Sequence, residues 1–147
     1  EGTFLWADGS RYYGQWYNNE IDGLGIVQWK DGRHYIGQWS QGDRSGYGRY
    51  VWSDGKKYEG NYLNDKRHGF GIYMLPDGRT YKGGYREDKQ HGLASYSIIN
   101  KQLSKDRAKV MYGVWEAGRR LKWFTIDQKV PVKTQLGQIV AKQRDEH

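Results

Sequence analysis

The chain contains no cysteine and only two prolines among its 147 residues, and aliphatic side chains are scarce. Without cysteine there can be no disulfides, thiolate metal ligands or cysteine nucleophiles, which agrees with a reducing, cytoplasmic compartment. Leu, Ile, Val and Phe together supply 26 residues, and the mean hydropathy is −1.03, so an ordinary aliphatic core is not expected. No apolar run approaches the roughly 18 residues of a membrane-spanning helix.

Glycine and large aromatic rings take the place of the missing aliphatic residues. The chain has 21 Gly, 13 Tyr and 7 Trp, and each buried Tyr or Trp removes about 150–250 Å² from water. An ordered fold that packs rings against glycines would reconcile this aromatic content with the low hydropathy. The composition therefore favours an ordered β structure over a disordered chain.

An internal repeat of 23 residues organises most of the chain. Its clearest marker is the dipeptide Asp-Gly, which begins at Asp8, Asp31, Asp54 and Asp77. In each unit a Tyr follows the Asp by four residues, a Gly by six and a Trp or Tyr by eight, and a Gly-x-Gly pair or its remnant comes later. This phase predicts four full units, residues 8–30, 31–53, 54–76 and 77–99, with partial units 1–7 and 110–124.

Each unit is expected to form two antiparallel strands, because its aromatic and glycine residues alternate with a period of two. Asp-Gly predicts a tight hairpin turn, and the polar segment 40–45 predicts a longer turn at the other edge. Placing Trp52 opposite Tyr58 and Tyr35 opposite Tyr50 puts the rings on one face, over glycines that carry no Cβ. Trp39 is expected opposite Gly46. The other face then takes apolar and polar side chains: Leu24, Ile26, Val51, Phe70, Ile72, Met74, Lys57, Glu59 and Lys82.

The repeat resembles the MORN repeat. The likeness is best seen in Tyr58-Glu-Gly60-Asn-Tyr62, followed by His68-Gly69-Phe-Gly71 and by Asp77-Gly78, and it extends over residues 8–99. The resemblance implies an all-β fold, an elongated, twisted, single-layer antiparallel sheet of tandem hairpins. Members of this family are usually scaffolds or targeting modules in cilia and flagella, at membrane junctions, or beside catalytic domains. A cytoplasmic location, within a cytoskeletal assembly or ciliary axoneme, is the corresponding expectation.

The C-terminal third departs from the repeat. Residues 100–109 form a basic insert, and residues 101–147 hold 11 Lys and Arg against 5 Asp and Glu, whereas residues 1–100 hold 13 against 12. The repeat array is therefore placed at residues 1–124 and a C-terminal extension at 125–147. Within the extension, apolar residues at helical spacing after Thr134 predict a short helix over 134–144, as a cap or a displaceable lid on the last repeats.

No group of residues in the sequence has the pattern of a catalytic or metal site. The histidines His34, His68 and His91 are too dispersed for ligand spacing, and the recurring Asp-Gly carboxylates belong to turns rather than to a unique acid–base pair. The Gly-x-Gly pairs lack the third Gly and the helix of a dinucleotide-binding loop. We therefore expect no enzymatic activity, no cofactor and no metal.

The aromatic face is the predicted binding surface for another protein, either an extended segment or an amphipathic helix. Its predicted contact residues are Trp16, Tyr35, Trp39, Tyr58, Tyr62, Tyr81, Tyr85 and Trp115. A second group could contact an anionic partner such as membrane lipid headgroups, namely Lys101, Lys105, Arg107 and Lys109. Nucleic acid is disfavoured because charges and aromatics do not interleave. A regulatory module beside a catalytic domain stays open, and the sequence does not predict the oligomeric state.

Overall fold

The structure is a computed structural model that describes residues 2–99 and 108–124, together with residues 134, 135, 137, 138 and 141. The first two ranges form one antiparallel sheet in which strands adjacent in sequence are adjacent in space. The strands are β1 (Gly2–Leu5), β2 (Arg11–Tyr17), β3 (Glu20–Gln28), β4 (His34–Ser40), β5 (Asp43–Val51), β6 (Lys57–Leu63), β7 (Lys66–Met74), β8 (Thr80–Arg86), β9 (Lys89–Ile99), β10 (Ala108–Glu116) and β11 (Arg119–Phe124).

This architecture confirms the predicted fold class. More than half of residues 2–99 are in strands, no residue in that range is helical, and two strands fall in each 23-residue period. Across the described residues, no helix is long and apolar enough to cross a bilayer. The strands form one sheet in which every strand between the two ends is paired on both sides, and the residues described add no second layer to it.

The two edges of the sheet carry different turns. The prediction of a tight turn at Asp-Gly and a longer turn at residues 40–45 was wrong, because the two kinds of turn are exchanged. The segment read as the longer turn contains a two-residue turn, Gln41-Gly42, and its counterpart in the next unit is Asn64-Asp65. Both residues of each pair have positive φ, as in type I′ turns, and Asn, Asp and Gly are the residues that adopt this conformation most readily. Asp-Gly instead lies in five-residue loops such as residues 52–56, which the hydrogen bond from Trp52 N to Lys56 O closes at 2.9 Å.

The strand register differs from the predicted one by two residues across the Asp-Gly loops. Tyr50, rather than Trp52, lies opposite Tyr58, and Gly48 lies opposite Gly60. Because side chains alternate with a period of two, this shift leaves every ring on the face where the sequence placed it. The face assignment is therefore correct although the pairing is not.

Across the two-residue turns the predicted register holds until a bulge. Tyr35 lies opposite Tyr50 as expected, but Trp39 lies opposite Arg44 instead of Gly46. The bulge falls between Gly37 and Trp39, and a bulge places extra residues on one strand against fewer on its partner. It therefore places Arg44 opposite Trp39, where a glycine was expected, and the Arg44 guanidinium lies over the rings of tyrosines on the same face.

One side of the sheet, which we call the ring face, carries the core, and two neighbouring rows of residues on it run from strand to strand. The first row is mostly tyrosine and includes Tyr12, Tyr35, Tyr50, Tyr58, Tyr73, Tyr81 and Tyr96. The second is glycine until its last members: Gly14, Gly25, Gly37, Gly48, Gly60, Gly71, Gly83, Ala94 and Gly113. Four tyrosines of the first row, one per unit, are the largest fully buried side chains, and all lie in one hydrophobic cluster.

The sheet continues past the basic insert into the hairpin of β10 and β11. The hydrogen bond from Gly118 N to Gln90 O, 2.9 Å long, repeats the bond from Asp88 N to Arg67 O in the preceding unit. The partial unit predicted at 110–124 thus has the geometry of the others. In the predicted helix 134–144 the described residues 134, 135, 137, 138 and 141 are helical. The remainder lies outside the described residues, so the helix and its docking stay predictions.

Candidate functional site

The four fully buried tyrosines of the ring face, Tyr12, Tyr35, Tyr58 and Tyr81, each donate a hydrogen bond from the hydroxyl group to a backbone carbonyl, and the first three also cover a glycine on the next strand. Tyr35 Oη donates to Gln38 O at 2.9 Å, and Tyr58 Oη donates to Asn61 O at 2.8 Å. A Cβ atom added at Gly48 would fall within the ring of Tyr35. Burial raises the pKa of these tyrosines well above the ordinary value, so the rings are neutral, fixed packing units.

The rings touch edge to face in a series that runs along the whole sheet. The centroid of Tyr35 lies 5.0 Å from that of Trp39 and 5.4 Å from that of Tyr62. The centroid of Tyr58 lies 5.3 Å from Tyr62 and 5.2 Å from Tyr85, and the same pattern continues into β10. Contacts of this kind stabilise by about 0.5–1.5 kcal/mol each beyond the area they bury. The result is a stiff aromatic surface.

Two arginines near the two-residue turns tie successive units together over these rings. Arg44 lies over the Tyr62 ring at 5.0 Å, its Nε donates to Asp65 Oδ1 at 2.6 Å, and its Nη2 donates to Asp65 O at 3.0 Å. Arg67 makes the same contacts with Tyr85 and Asp88. The sequence does contain a signal for these contacts, because Arg44 and Asp65 have the same 21-residue spacing as Arg67 and Asp88.

The charge state of Arg44 follows from two opposing effects. Burial disfavours its charged form, but the hydrogen bond and ion pair with Asp65 outweigh burial, and the pKa of Arg44 is raised. A guanidinium that stays charged while stacked on rings can bind a carboxylate and an aromatic face at once. The contacts of Arg44 therefore have a structural role. They leave the carboxylate of Asp65 exposed at the edge that carries the two-residue turns.

The structure brings seven of the eight predicted contact residues together, but as buried neighbours of one another. Their exposed fractions are 0% for Tyr35 and Tyr58, 1% for Tyr81, 4% for Tyr85, 5% for Tyr62, 6% for Trp115 and 9% for Trp39. The eighth, Trp16, is 36% exposed. Half-buried indoles at the Asp-Gly edge add to the accessible part of the ring face: Trp6, Trp29 and Trp52. The role of all these residues in partner binding stays a prediction.

The predicted anionic-partner group falls mostly on residues that the structure does not describe. Lys101, Lys105 and Arg107 lie outside the described residues, whereas Lys109 is an exposed residue of β10. The adjacent strand β11 adds three exposed cations, Arg119, Arg120 and Lys122. The guanidinium of Arg120 lies over the Trp123 ring at 4.4 Å, and Lys122 Nζ lies over the Phe124 ring at 5.1 Å.

The carboxylates of the Asp-Gly loops serve the loops themselves. Asp77 Oδ1 accepts from Arg79 N at 3.0 Å and Asp31 Oδ1 accepts from Arg33 N at 3.0 Å. These backbone hydrogen bonds are the main reason why the pKa of each Asp is lowered. Among the described residues no cluster of His, Asp and Glu could hold a metal ion. The loop carboxylates therefore have a local structural explanation, as the sequence analysis expected.

A sheet of tandem antiparallel hairpins in sequence order defines a β-repeat protein. The MORN repeat model matches residues 1–11, 12–32, 35–57, 58–78 and 81–100, and the chain belongs to the MORN repeat family. Such repeats form modules that bind proteins or membranes and are generally non-catalytic. No curated protein matches the chain significantly. The hairpin of β10 and β11 continues the fold beyond the matched residues.

Proposed function

We propose that this chain is a non-catalytic scaffold that binds an extended or helical segment of another protein on its ring face. The observation that carries the proposal is the stiffness of this face, in which edge-to-face contacts and hydroxyl hydrogen bonds fix the rings in advance. A prearranged surface loses little side-chain entropy on binding. A cytoplasmic cytoskeletal or ciliary assembly is the setting that the resemblance suggests.

The buried rings and the accessible ones have different tasks in this proposal. Trp16, with 36% of its surface exposed, and the half-buried Trp29 and Trp52 would contact the partner. Large aromatic side chains are the most frequent anchors at protein interfaces. The buried row would support them from below, and the charged turns at the edges would select the partner through complementary charge.

The test uses peptides selected from a displayed library for binding to the whole chain. We expect the double variant Trp16→Ala/Trp52→Ala to bind the selected peptides at least about tenfold more weakly, a loss of about 1.4 kcal/mol. The matched control, Tyr13→Ala/Ile36→Ala, changes exposed apolar residues of the opposite face. Circular dichroism verifies that both variants keep the sheet. Equal binding by the tryptophan variant would remove the ring face as the contact surface.

Truncation of Trp39 or Tyr62 is a poor test, because each side chain is almost fully buried against other rings. Removing such a side chain destabilises by about 3–5 kcal/mol through the cavity that it leaves. A loss of binding would then report unfolding rather than a lost contact. The accessible tryptophans separate these two effects.

A second candidate function is binding to an anionic membrane, which the exposed cations of β11 favour. We expect co-sedimentation with phosphatidylserine vesicles that falls between about 0.1 M and 1 M salt, because screening shortens electrostatic reach from about 10 Å to about 3 Å. The triple variant Arg119→Gln/Arg120→Gln/Lys122→Gln should release the chain. Binding only to the selected peptides, with no vesicle binding at low salt, would eliminate this candidate.

A further inference from the structure

The opposite face carries a second repeated row, which we call the outer row: Leu24, Tyr47, Phe70 and Leu93. Its members are 23 residues apart, and the first three expose 60%, 56% and 54% of their surface. Leu93 is half-buried. Large apolar side chains are thus exposed at a regular interval along one line, and exposed apolar surface that recurs in this way marks interaction sites more often than single exposed residues do.

The residues that lie between successive members of the outer row are polar or lack a side chain. Gln15 Oε1 accepts from Leu24 N at 2.7 Å, and Gln38 Oε1 accepts from Tyr47 N at 2.8 Å. These hydrogen bonds direct the two amide oxygens to the backbone of the neighbouring strand. Tyr47 lies opposite Asn61, and Phe70 lies opposite Gly84, which has no side chain. Polar residues or a glycine therefore separate the apolar side chains along the row.

We propose that the outer row binds an amphipathic helix that lies across the strands and presents an apolar residue at every seventh position. Successive members are two strands apart, about 9.4–9.8 Å. Positions i and i+7 of a helix are about 10.5 Å apart. An extended chain presents side chains on one face about every 6.6–6.8 Å, which does not match. The spacing therefore selects a helix over a strand.

Charged residues beside the outer row define the helix further. Each member of the row has a charged residue four positions before it in the sequence: Glu20, Asp43, Lys66 and Lys89. The sign changes from acidic to basic along the sheet. Lys66 is paired with Glu87 at 2.9 Å, so the basic end lies at β8 and β9, where Arg86 is directly opposite Lys89 and like charges are unfavourable. The partner helix is thus basic over β3 and β5 and acidic over β8 and β9.

This second surface is independent of the proposed ring-face function. A single-layer sheet has two faces, and the side chains of the outer row point away from the rings because they alternate with them along each strand. A chain with both surfaces holds two partners at once without steric conflict. Binding at the outer row would make the scaffold bivalent.

The probe is a synthetic helical peptide with leucine at every seventh position, lysines flanking the leucines in one half and glutamates in the other. Fluorescence anisotropy measures its affinity for the whole chain. We expect Tyr47→Ser/Phe70→Ser to weaken binding at least tenfold. The matched control, Leu5→Ser/Leu121→Ser, changes residues that are 65% and 59% exposed but lie off the row, and should leave affinity within about twofold.

Two further peptides test the helix and its charge pattern. A uniformly basic and a uniformly acidic peptide with the same leucine spacing should each bind more weakly than the mixed peptide. Arg86→Glu/Lys89→Glu makes the basic end acidic and should reverse this order in favour of the uniformly basic peptide. An unchanged order would overturn the charge assignment.

The ring-face variant Trp16→Ala/Trp52→Ala separates this proposal from the proposed function. It should bind the mixed helical peptide as the wild type does, while losing its own selected peptides. The outer-row site would be refuted if the mixed peptide bound the wild type and Tyr47→Ser/Phe70→Ser with equal affinity. It would also be refuted if the wild type bound a peptide with leucine at alternate positions as tightly as it binds the mixed peptide. The ring-face proposal would stand or fall on its own measurement.

Discussion

At the scale of the residue, glycine is required where a tyrosine ring covers the neighbouring strand. The ring of Tyr58 occupies the space that a Cβ on Gly71 would need, and the equivalent contact recurs between Tyr35 and Gly48. The fourth unit has Ala94 at this position, where it is buried in the same cluster. One methyl group is therefore tolerated near the end of the array, but larger side chains would displace the ring.

Gly60→Val is expected to destabilise the chain by about 1–3 kcal/mol, the range for overpacking. The new Cβ would lie 2.5 Å from Phe70 O and 2.6 Å from Gly71 Cα, and these backbone atoms belong to a paired strand that cannot move aside. Urea midpoints at unchanged slope measure the effect. The control is Asn61→Val on the exposed side of the same strand, which should shift stability by less than about 0.5 kcal/mol. An unaltered midpoint for Gly60→Val would contradict the packing described here.

At the scale of the element, the two-residue turns determine how neighbouring units meet. Their residues have positive φ, and in the last hairpin the first turn residue is Ala117 (φ 49°) followed by Gly118 (φ 83°). Alanine in the left-handed region is unfavourable by about 1–2 kcal/mol, whereas Asn-Gly is the preferred sequence for such a turn. The last hairpin therefore carries a local conflict between residue type and conformation.

Ala117→Asn is expected to raise the stability of the last hairpin by about 1 kcal/mol, because asparagine adopts the left-handed region more readily than alanine does. Thermal unfolding followed by circular dichroism gives the shift in Tm. Ala117→Val serves as the opposing control, since a β-branched residue resists positive φ and should lower the Tm. If both variants unfold at the wild-type temperature, the turn does not limit the stability of this hairpin.

The period and the face of each ring were predictable from the sequence, but the details of strand pairing were not. Alternation of Tyr35, Gly37 and Trp39 is enough to assign a face. The register also depends on which turn is tight, and Asp-Gly, with its local hydrogen bonds, formed a five-residue loop instead. The contact between Arg44 and Asp65 joins neighbouring units through two residues that are 21 positions apart, and it depends on a bulge that alternation alone does not reveal.

At the scale of the whole molecule, the sheet is a one-dimensional array in which each hairpin contacts only its neighbours. Stability in such arrays is approximately the sum of unit and interface contributions, and the terminal units need protection. Here the hairpin of β10 and β11 covers the last family repeat. Trp115 lies 5.1 Å from Tyr81 and 5.6 Å from Trp123, measured between ring centroids.

A fragment ending at residue 100, where the family match ends, is therefore expected to be less stable than a fragment ending at residue 124. It lacks Trp115, whose loss alone corresponds to about 3–5 kcal/mol for a buried tryptophan, and its Tm should fall by more than about 10 °C. It also leaves the long strand β9 as an unpaired edge beside Tyr81, and such edges promote association between chains.

Circular dichroism would measure the Tm, and size-exclusion chromatography with light scattering would measure the mass. Full-length Trp115→Ala separates the two effects, because it removes the indole but keeps β10 over β9. We expect that variant to lose stability and keep the mass of the wild type. Equal Tm and mass for both fragments would show that the last hairpin does not protect the array.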